Sequence, residues 1–317
     1  MRCLRTIKAG FDKSGTSVIY NSRKSSHELA PFEFECRKCL PCRLKIGREK
    51  AIRAMHEAKM HKDNIFLTLT YSEENLKSPR LNYHDFELFM KRLLEDLNRN
   101  VTCPENRHIL PFMVTGEYGD KTKRPHWHVL LFNYRPTDAK HHRYTELGHQ
   151  VFKSDYIAKI WKHGFIEFGE ITMESASYVG RYAAKKLSHG KDSEHDYHPI
   201  HNTSKRHVIG KSWIKNNAEK IFKLGYVTLP NGQKCSIPRY YLDYCKKNLP
   251  DLYFHYLSEV QPKTILLAQE SAKKEEMDYL RNLMSYQGST SFPLTKKQVQ
   301  HTILKHKFKQ LQENLKL

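Results

Sequence analysis

Between residues 61 and 190, strand-like and helix-like hydrophobic patterns alternate in an order that few folds accommodate. Residues 65–71 (IFLTLTY) alternate as in a strand, and the stretch YGDKTKRP separates two further strand patterns as a hairpin loop would. The predicted elements are a strand at 65–71, a helix at 85–97, strands at 110–117 and 126–132, a helix at 151–162, a strand at 165–171 and a helix at 175–187. This order predicts an α+β fold with helices flanking an antiparallel sheet, as in ferredoxin-like and RRM-like domains.

Outside this core the composition divides the chain into three further segments. Residues 1–60 are rich in cysteine and end in a basic amphipathic helix from 44 to 60. Residues 191–261 combine a polar, histidine-containing stretch with a predicted β-hairpin, and we expect 189–207 to be a surface loop. Residues 262–317 predict a charged helical tail.

The charge balance indicates the kind of partner. The chain has 54 Lys and Arg against 34 Asp and Glu, which gives a net charge of +20 and a pI of about 9.5. A polyanion, and nucleic acid first of all, is the expected partner. With a mean hydropathy of -0.72 and no long apolar run or leader-like start, we expect no membrane association and a cytosolic location.

Three cysteines at two-residue spacing, Cys36, Cys39 and Cys42, predict a metal-thiolate cluster, because turns with this spacing direct their sulfurs to one centre. Cys3 is the expected fourth ligand of a structural Zn²⁺ that would hold the N-terminus against the basic helix. The alternative is that these residues are small buried apolar groups.

The run PHWHVLLF predicts a second metal site. Alternate residues of a strand share a face, so His126 and His128 project together while Trp127 points the opposite way. The hairpin returns Glu117 to the same level. One carboxylate and two imidazoles suit Mg²⁺, Mn²⁺ or a similar ion, although a bare His-x-His pair is more often structural.

The run YVGRYAAKK places two phenols and an ammonium on one helix. Tyr178 and Tyr182 are four residues apart and share a face, and Lys185 follows on the next turn. A phenol becomes a nucleophile at neutral pH only where a metal or a nearby cation assists it. In an arbitrary helix, two aromatics packing on a sheet would be the preferred interpretation.

The co-occurrence of IFLTLTY, PHWHVLLF and YVGRYAAKK in this order resembles the HUH superfamily of rolling-circle replication initiators. The resemblance is closest to the two-tyrosine proteins of small single-stranded DNA phages, in the gokushovirus branch of the microviruses, and it covers residues 1 to about 250. The further matching motifs are the CxxCxxCR stretch Cys36–Arg43, His56-Glu57, the GEYG element Gly116–Gly119, the RPHWH element Arg124–His128 and the GKxW element Gly210–Trp213.

The resemblance implies that residues 61–190 form a metal-dependent nicking and rejoining domain. His126 and His128 would hold the divalent ion, with Glu117 as an inferred third ligand, and Tyr178 and Tyr182 would attack single-stranded DNA at a replication origin. A 5′-phosphotyrosine link would form while the free 3′ end primes a host polymerase. Lys185 would stabilise the phenolate or protonate the leaving oxygen. The residues expected to contact phosphates are Arg124, Arg181 and Lys186.

The expected location is the cytoplasm of a host bacterium. Because the chain has no GxxxxGK[ST] loop, we expect unwinding to come from a host helicase.

Three alternatives stay open at this point. A tyrosine transposase of the same superfamily would use the same chemistry on a different DNA structure. A non-catalytic single-stranded nucleic-acid-binding protein would share the basic charge, but it would need stacking aromatics at the centre of its middle strands. A zinc hydrolase is the weakest alternative, because the metal strand carries no evident water-activating carboxylate.

Overall fold

The computed structural model divides the chain into two compact units, residues 1–212 and 213–317. The structure describes residues 3, 5–14, 17–20, 32–119, 122–185, 199–229, 231–284 and 294–314.

The first unit begins with a small antiparallel sheet and a long helix. Strand β1 (Ile7–Phe11) pairs with β2 (Val18–Ile19) on one side and β3 (Phe32–Phe34) on the other. Helix α1 (Leu40–Ala58) begins directly after Cys39 and carries Pro41 in its first turn, where a missing N–H costs nothing. The predicted basic helix therefore starts four residues earlier than expected.

The main sheet confirms the predicted α+β class, with an antiparallel sheet flanked by helices. Its elements are β4 (Asn64–Thr70), α2 (Tyr83–Leu97), β5 (Phe112–Tyr118), β6 (Pro125–Phe132), β7 (Lys140–Tyr144), β8 (Gln150–Lys153), α3 (Asp155–Trp161), β9 (Ile166–Gly169), α4 (Met173–Lys185) and β10 (Ile200–Thr203). Within the described part of the chain, the strand order is β10-β5-β6-β4-β9-β8-β7, antiparallel throughout. The central four, β5-β6-β4-β9, have the ferredoxin-like order.

One face of the sheet packs on α2 and α3. Strand alternation sends Leu67, Leu69 and Trp127 to this face, where they are fully buried against the aromatic residues of the two helices. Phe86 of α2 stacks on Trp127 with ring centroids 5.9 Å apart. The aromatic core fixes the middle strands.

The opposite face packs on α1 and α4 along only part of its length. Leu130 and Phe132 are buried there against small residues of the two helices, including Ala51 and Ala176. Small side chains let the helices lie close to the strands. Beyond the helices the same pleat carries polar residues, which form the candidate site.

Two secondary-structure predictions are wrong. Residues 151–162 are not one helix, because β8 runs to Lys153 and α3 begins after Ser154, whose hydroxyl accepts a hydrogen bond from Ile157 N. The segment 189–207 is not simply a surface loop, since its Ile200–Thr203 part is β10 and pairs with β5. The rest of that segment up to residue 198 lies outside the described residues. The β7–β8 hairpin was not predicted.

The second unit is mainly helical. Its elements, the first of which starts just before the division, are α5 (Lys211–Leu224), β11 (Val227–Thr228), β12 (Lys234–Cys235), α6 (Arg239–Asn248), α7 (Pro250–His255), a π-helical turn (Tyr256–Val260), α8 (Gln261–Met284) and α9 (Lys296–Asn314). The predicted hairpin and helical tail are both present, whereas α5 was not predicted. No helix in the described ranges combines the length and hydrophobicity that a bilayer-spanning segment needs.

Candidate active site and metal-binding clusters

The main sheet aligns the predicted metal ligands in adjacent strands. In the β5–β6 pair, Glu117 lies directly opposite His126, and on the other side of β6 the partners of His126 and His128 are Thr70 and Thr68. Directly opposed residues of an antiparallel pair share a face. The hairpin therefore brings the carboxylate to both imidazoles, as the sequence predicts.

The three side chains are close enough to hold one cation. Glu117 Oε1 lies 3.2 Å from His126 Nε2 and 2.9 Å from His128 Nε2, and one ligand atom from each residue falls within 4.8 Å of the others. Glu117 is buried and the histidines are half-buried. The site is thus shielded from bulk water on one side but open to a ligand.

The outer nitrogens of both histidines also have oxygen partners. His126 Nδ1 lies 3.2 Å from the carbonyl oxygen of Arg124, and His128 Nδ1 lies 3.0 Å from Thr68 Oγ1. A carbonyl only accepts, so Nδ1 of His126 must carry the hydrogen. When neutral, that ring points its Nε2 lone pair at a carboxylate, an arrangement that a bound cation relieves.

The protonation states favour the same interpretation. Burial alone would raise the pKa of Glu117, but hydrogen bonds from His126 and His128 outweigh it and hold the pKa well below its usual range. Burial lowers the pKa of His128, with Glu117 opposing the shift. An ionised carboxylate beside a neutral imidazole is the ligand state that metal binding requires.

Tyr178 lies at the edge of this cluster. Its hydroxyl donates a hydrogen bond to Glu117 Oε1, the oxygen that also faces both histidines. Its ring stands nearly perpendicular to the His128 ring, with centroids 5.1 Å apart. A phenol that faces a potential cation site through a shared carboxylate is well placed for attack on a bound phosphodiester.

The other predicted residues on α4 are described less fully. The main chains of Tyr182 and Lys185 belong to α4, Tyr182 lying one turn after Tyr178, and Lys186 lies outside the described residues. Arg181 donates from Nε to the carbonyl of Ser177 at 3.1 Å. Arg124 forms an ion pair with the exposed Glu73.

The four predicted cysteines also form a cluster that could hold a metal ion. The sulfurs of Cys3, Cys36, Cys39 and Cys42 lie within 4.8 Å of one another. The main-chain N–H groups of Cys36 and Cys39 point at the sulfurs of Cys3 and Cys36, each at 3.3 Å. That hydrogen bond from Cys39 is the main cause that lowers the pKa of Cys36 to about 6. Four thiols in one shell are the donor set that Zn²⁺ prefers.

Comparison with known proteins decides the family. Residues 64–187 match the family model of the replication-associated protein ORF2. The whole chain is 59% identical over 317 residues to the replication-associated protein VP4 of Bdellovibrio phage phiMH2K, covering all of both chains.

This chain belongs to the family of phage replication-associated proteins. The resemblance predicted from the motifs is thereby confirmed. Other replication-associated proteins are more distant: ORF2 of Spiroplasma virus 4 is 28% identical over 88% of this chain and 93% of its own length. ORF4 of Chlamydia phage 1 is 30% identical over 70% of this chain and 56% of its own length. No solved structure matches the chain.

Within this replication-associated protein, sequence reasoning missed a pair of glycines that sets the position of Tyr178. Gly180 of α4 lies against Gly47 of α1, and a Cβ on Gly180 would lie 2.6 Å from the Gly47 carbonyl oxygen. Glycines inside two helical patterns were the available signal, because such residues are costly unless close packing needs them.

Proposed function

We propose that this replication-associated protein initiates rolling-circle replication by nicking single-stranded DNA with a tyrosine and later rejoining it. Its substrate would be the replication origin of a small single-stranded DNA phage. One observation carries the proposal: the Tyr178 hydroxyl bonds to the Glu117 oxygen that both His126 and His128 face. An arrangement built only for packing would not need three polar groups directed at a phenol.

Glu117, His126 and His128 would hold Mg²⁺ or Mn²⁺. The bound cation would supply charge neutralisation and orientation at the scissile phosphate.

Tyr178 would attack the phosphorus, forming a bond from the phenolic oxygen and breaking the bond to the 3′ oxygen. The phenol gives up its proton and the departing 3′ oxygen gains one, so the products are a 5′-phosphotyrosine and a free 3′ hydroxyl. Lys185 would stabilise the phenolate or protonate the leaving oxygen. Tyr182 would perform the second attack after one round of copying. The 3′ hydroxyl released then attacks the first link, closes a circle and frees the first tyrosine.

Basic residues near α4 and β6 would hold the strand through its phosphates; these are Arg124, Arg181 and Lys186. The cysteine cluster of Cys3, Cys36, Cys39 and Cys42 would bind Zn²⁺ as a structural centre, because thiolates in a closed four-ligand shell leave no position for substrate.

The remaining partners follow from the reaction. The free 3′ hydroxyl needs a DNA polymerase, and copying a duplex needs a helicase, so both would come from the host. The reaction would take place in the cytoplasm of the host bacterium.

The test is adduct formation on labelled single-stranded DNA taken from the chain's own replicon, with Mg²⁺ or Mn²⁺, followed by a denaturing gel. We expect a covalent protein–DNA band that disappears with chelator and in the Tyr178→Phe/Tyr182→Phe double variant. Tyr144→Phe, an exposed tyrosine of β7, is the matched control and should retain the band. Metal-independent DNA binding without an adduct on any segment would contradict the proposal.

A further inference from the structure

Phe165 is an unusually exposed aromatic residue for a position next to the main sheet. Its relative exposure is 69%, whereas its neighbours along the strand, Ile166 and Phe168, are buried in the aromatic core. Alternation along the strand therefore places Phe165 on the opposite face, which is the face of Glu117 and His126.

The cross-strand pairing puts Phe165 level with the candidate metal cluster. Leu69 lies opposite Ile166, and Thr70 N donates to the Phe165 carbonyl at 2.9 Å, so Phe165 continues the pairing beside Thr70. Thr70 in turn lies opposite His126, and His126 opposite Glu117. At about 4.8 Å per strand, the main chain of Phe165 lies roughly 10 Å from that of His126.

The main chain around Phe165 is firmly held. Thr70 donates to its carbonyl from Oγ1 as well as from N, at 3.0 and 2.9 Å, and Ser72 N donates to His163 O at 2.8 Å. A Cβ on Gly164 would overlap the main chain of residues 70–72, so the chain approaches β4 in a way that only glycine permits. An exposed ring on such a support loses little freedom when it binds a flat ligand.

We propose that Phe165 is a stacking platform for one nucleobase of the single strand, close to the nucleotide whose phosphate is cut. This inference rests on the proposed nicking function and adds a subsite to it. Bases offer π-faces that an exposed aromatic ring recognises without regard to sequence, while the net charge of +20 favours the accompanying backbone. The platform would hold the strand in register across the row Phe165, Thr70, His126 and Glu117.

The test uses the full chain and single-stranded oligonucleotides tiled across its own replicon. 2-Aminopurine is placed at successive positions around the nick, and binding is followed by fluorescence without metal. We expect strong quenching at one position in the wild type and none of this extra quenching in Phe165→Ala. The same variant should bind about tenfold more weakly. Phe165→Trp should retain both properties, and Phe254→Ala, which removes an exposed phenylalanine of the second unit, should behave as wild type.

An abasic scan makes the assignment specific. Removing the stacked base should weaken wild-type binding about as much as Phe165→Ala does, and combining both changes should add little more. Additive losses at every position, or unchanged binding by Phe165→Ala, would overturn the platform.

The same assays separate this inference from the nicking function. Binding and quenching without adduct formation would refute nicking but keep the platform. Adduct formation at the wild-type level by Phe165→Ala, with unchanged binding, would refute the platform but keep nicking. A wild-type chain that does not bind these oligonucleotides refutes both.

Discussion

Gly180 in α4 and Gly47 in α1 bring the main chains of their helices into contact. A methyl group on Gly180 would lie 2.6 Å from the carbonyl oxygen of Gly47, whereas one on Gly47 would meet its nearest neighbours at 3.3 Å. Gly180 follows Tyr178 by two residues, and Val179 between them is fully buried. The close approach of the helices therefore fixes how far Tyr178 reaches toward Glu117.

The first prediction concerns this contact. Gly180→Ala should push α4 away from α1 and lower the free energy of unfolding by about 1–3 kcal/mol, the usual cost of overpacking. Adduct formation should fall further than stability explains, because Tyr178 moves from the cluster. Thermal unfolding and single-turnover nicking check this. Gly47→Ala, with its wider spacing, is the matched variant and should do less on both measures; equal effects would contradict the account.

A second prediction concerns Thr68, which contacts His128 Nδ1 at 3.0 Å. Thr68→Val keeps the shape but removes the oxygen that orients the ring, and loss of such a partner costs about 10- to 100-fold in metal affinity. Titration with Mn²⁺ measures it directly. Thr70→Val is the control, since the Thr70 hydroxyl bonds to the Phe165 carbonyl instead. Unchanged Mn²⁺ affinity in Thr68→Val would refute an orienting role.

The third prediction concerns the cysteine cluster. Native mass spectrometry of the purified chain should find one Zn²⁺ per chain, and Cys39→Ser should lose it and unfold at a lower temperature. Cys103→Ser is the control, because Cys103 is exposed and outside the cluster. Full zinc content in Cys39→Ser would exclude the four-cysteine site.

The fourth prediction concerns acid stability. His56 in α1 is buried, and this burial, together with the charge of Lys59, lowers its pKa from 6.5 to about 3. The unfolded chain therefore binds a proton that the folded chain refuses between these values, so stability falls as the pH drops below about 6.5. Between pH 7 and pH 4.5 this one histidine should cost about 2–3 kcal/mol.

Urea unfolding of the wild type and of His56→Gln at the two pH values measures that cost. Gln cannot titrate, so the loss of stability on acidification should be smaller in His56→Gln by this amount. His84→Gln, which replaces an exposed histidine of α2, should leave the loss unchanged. An identical acid dependence in wild type and His56→Gln would disprove the assignment.

The parts of the fold that could be predicted have strong local patterns. Residues 65–71 and 126–132 alternate with buried apolar residues, so each strand declares its two faces from its own composition. The strands that were missed lack such a pattern. β7 reads KHHRY and is exposed at every position, and it is a strand because β8 offers it an edge to pair with.

The sequence by itself determined that His126 and His128 share a face, that Tyr178 and Tyr182 are one helical turn apart, and that three cysteines form a metal-thiolate run. These relationships follow from the period of a single strand, helix or turn, which is a local property. Only the tertiary structure decided that Cys3 joins that run, that Tyr178 reaches Glu117, and that Phe165 lies level with His126. Each of these depends on pairing or packing between distant segments, whose free energy no single element carries.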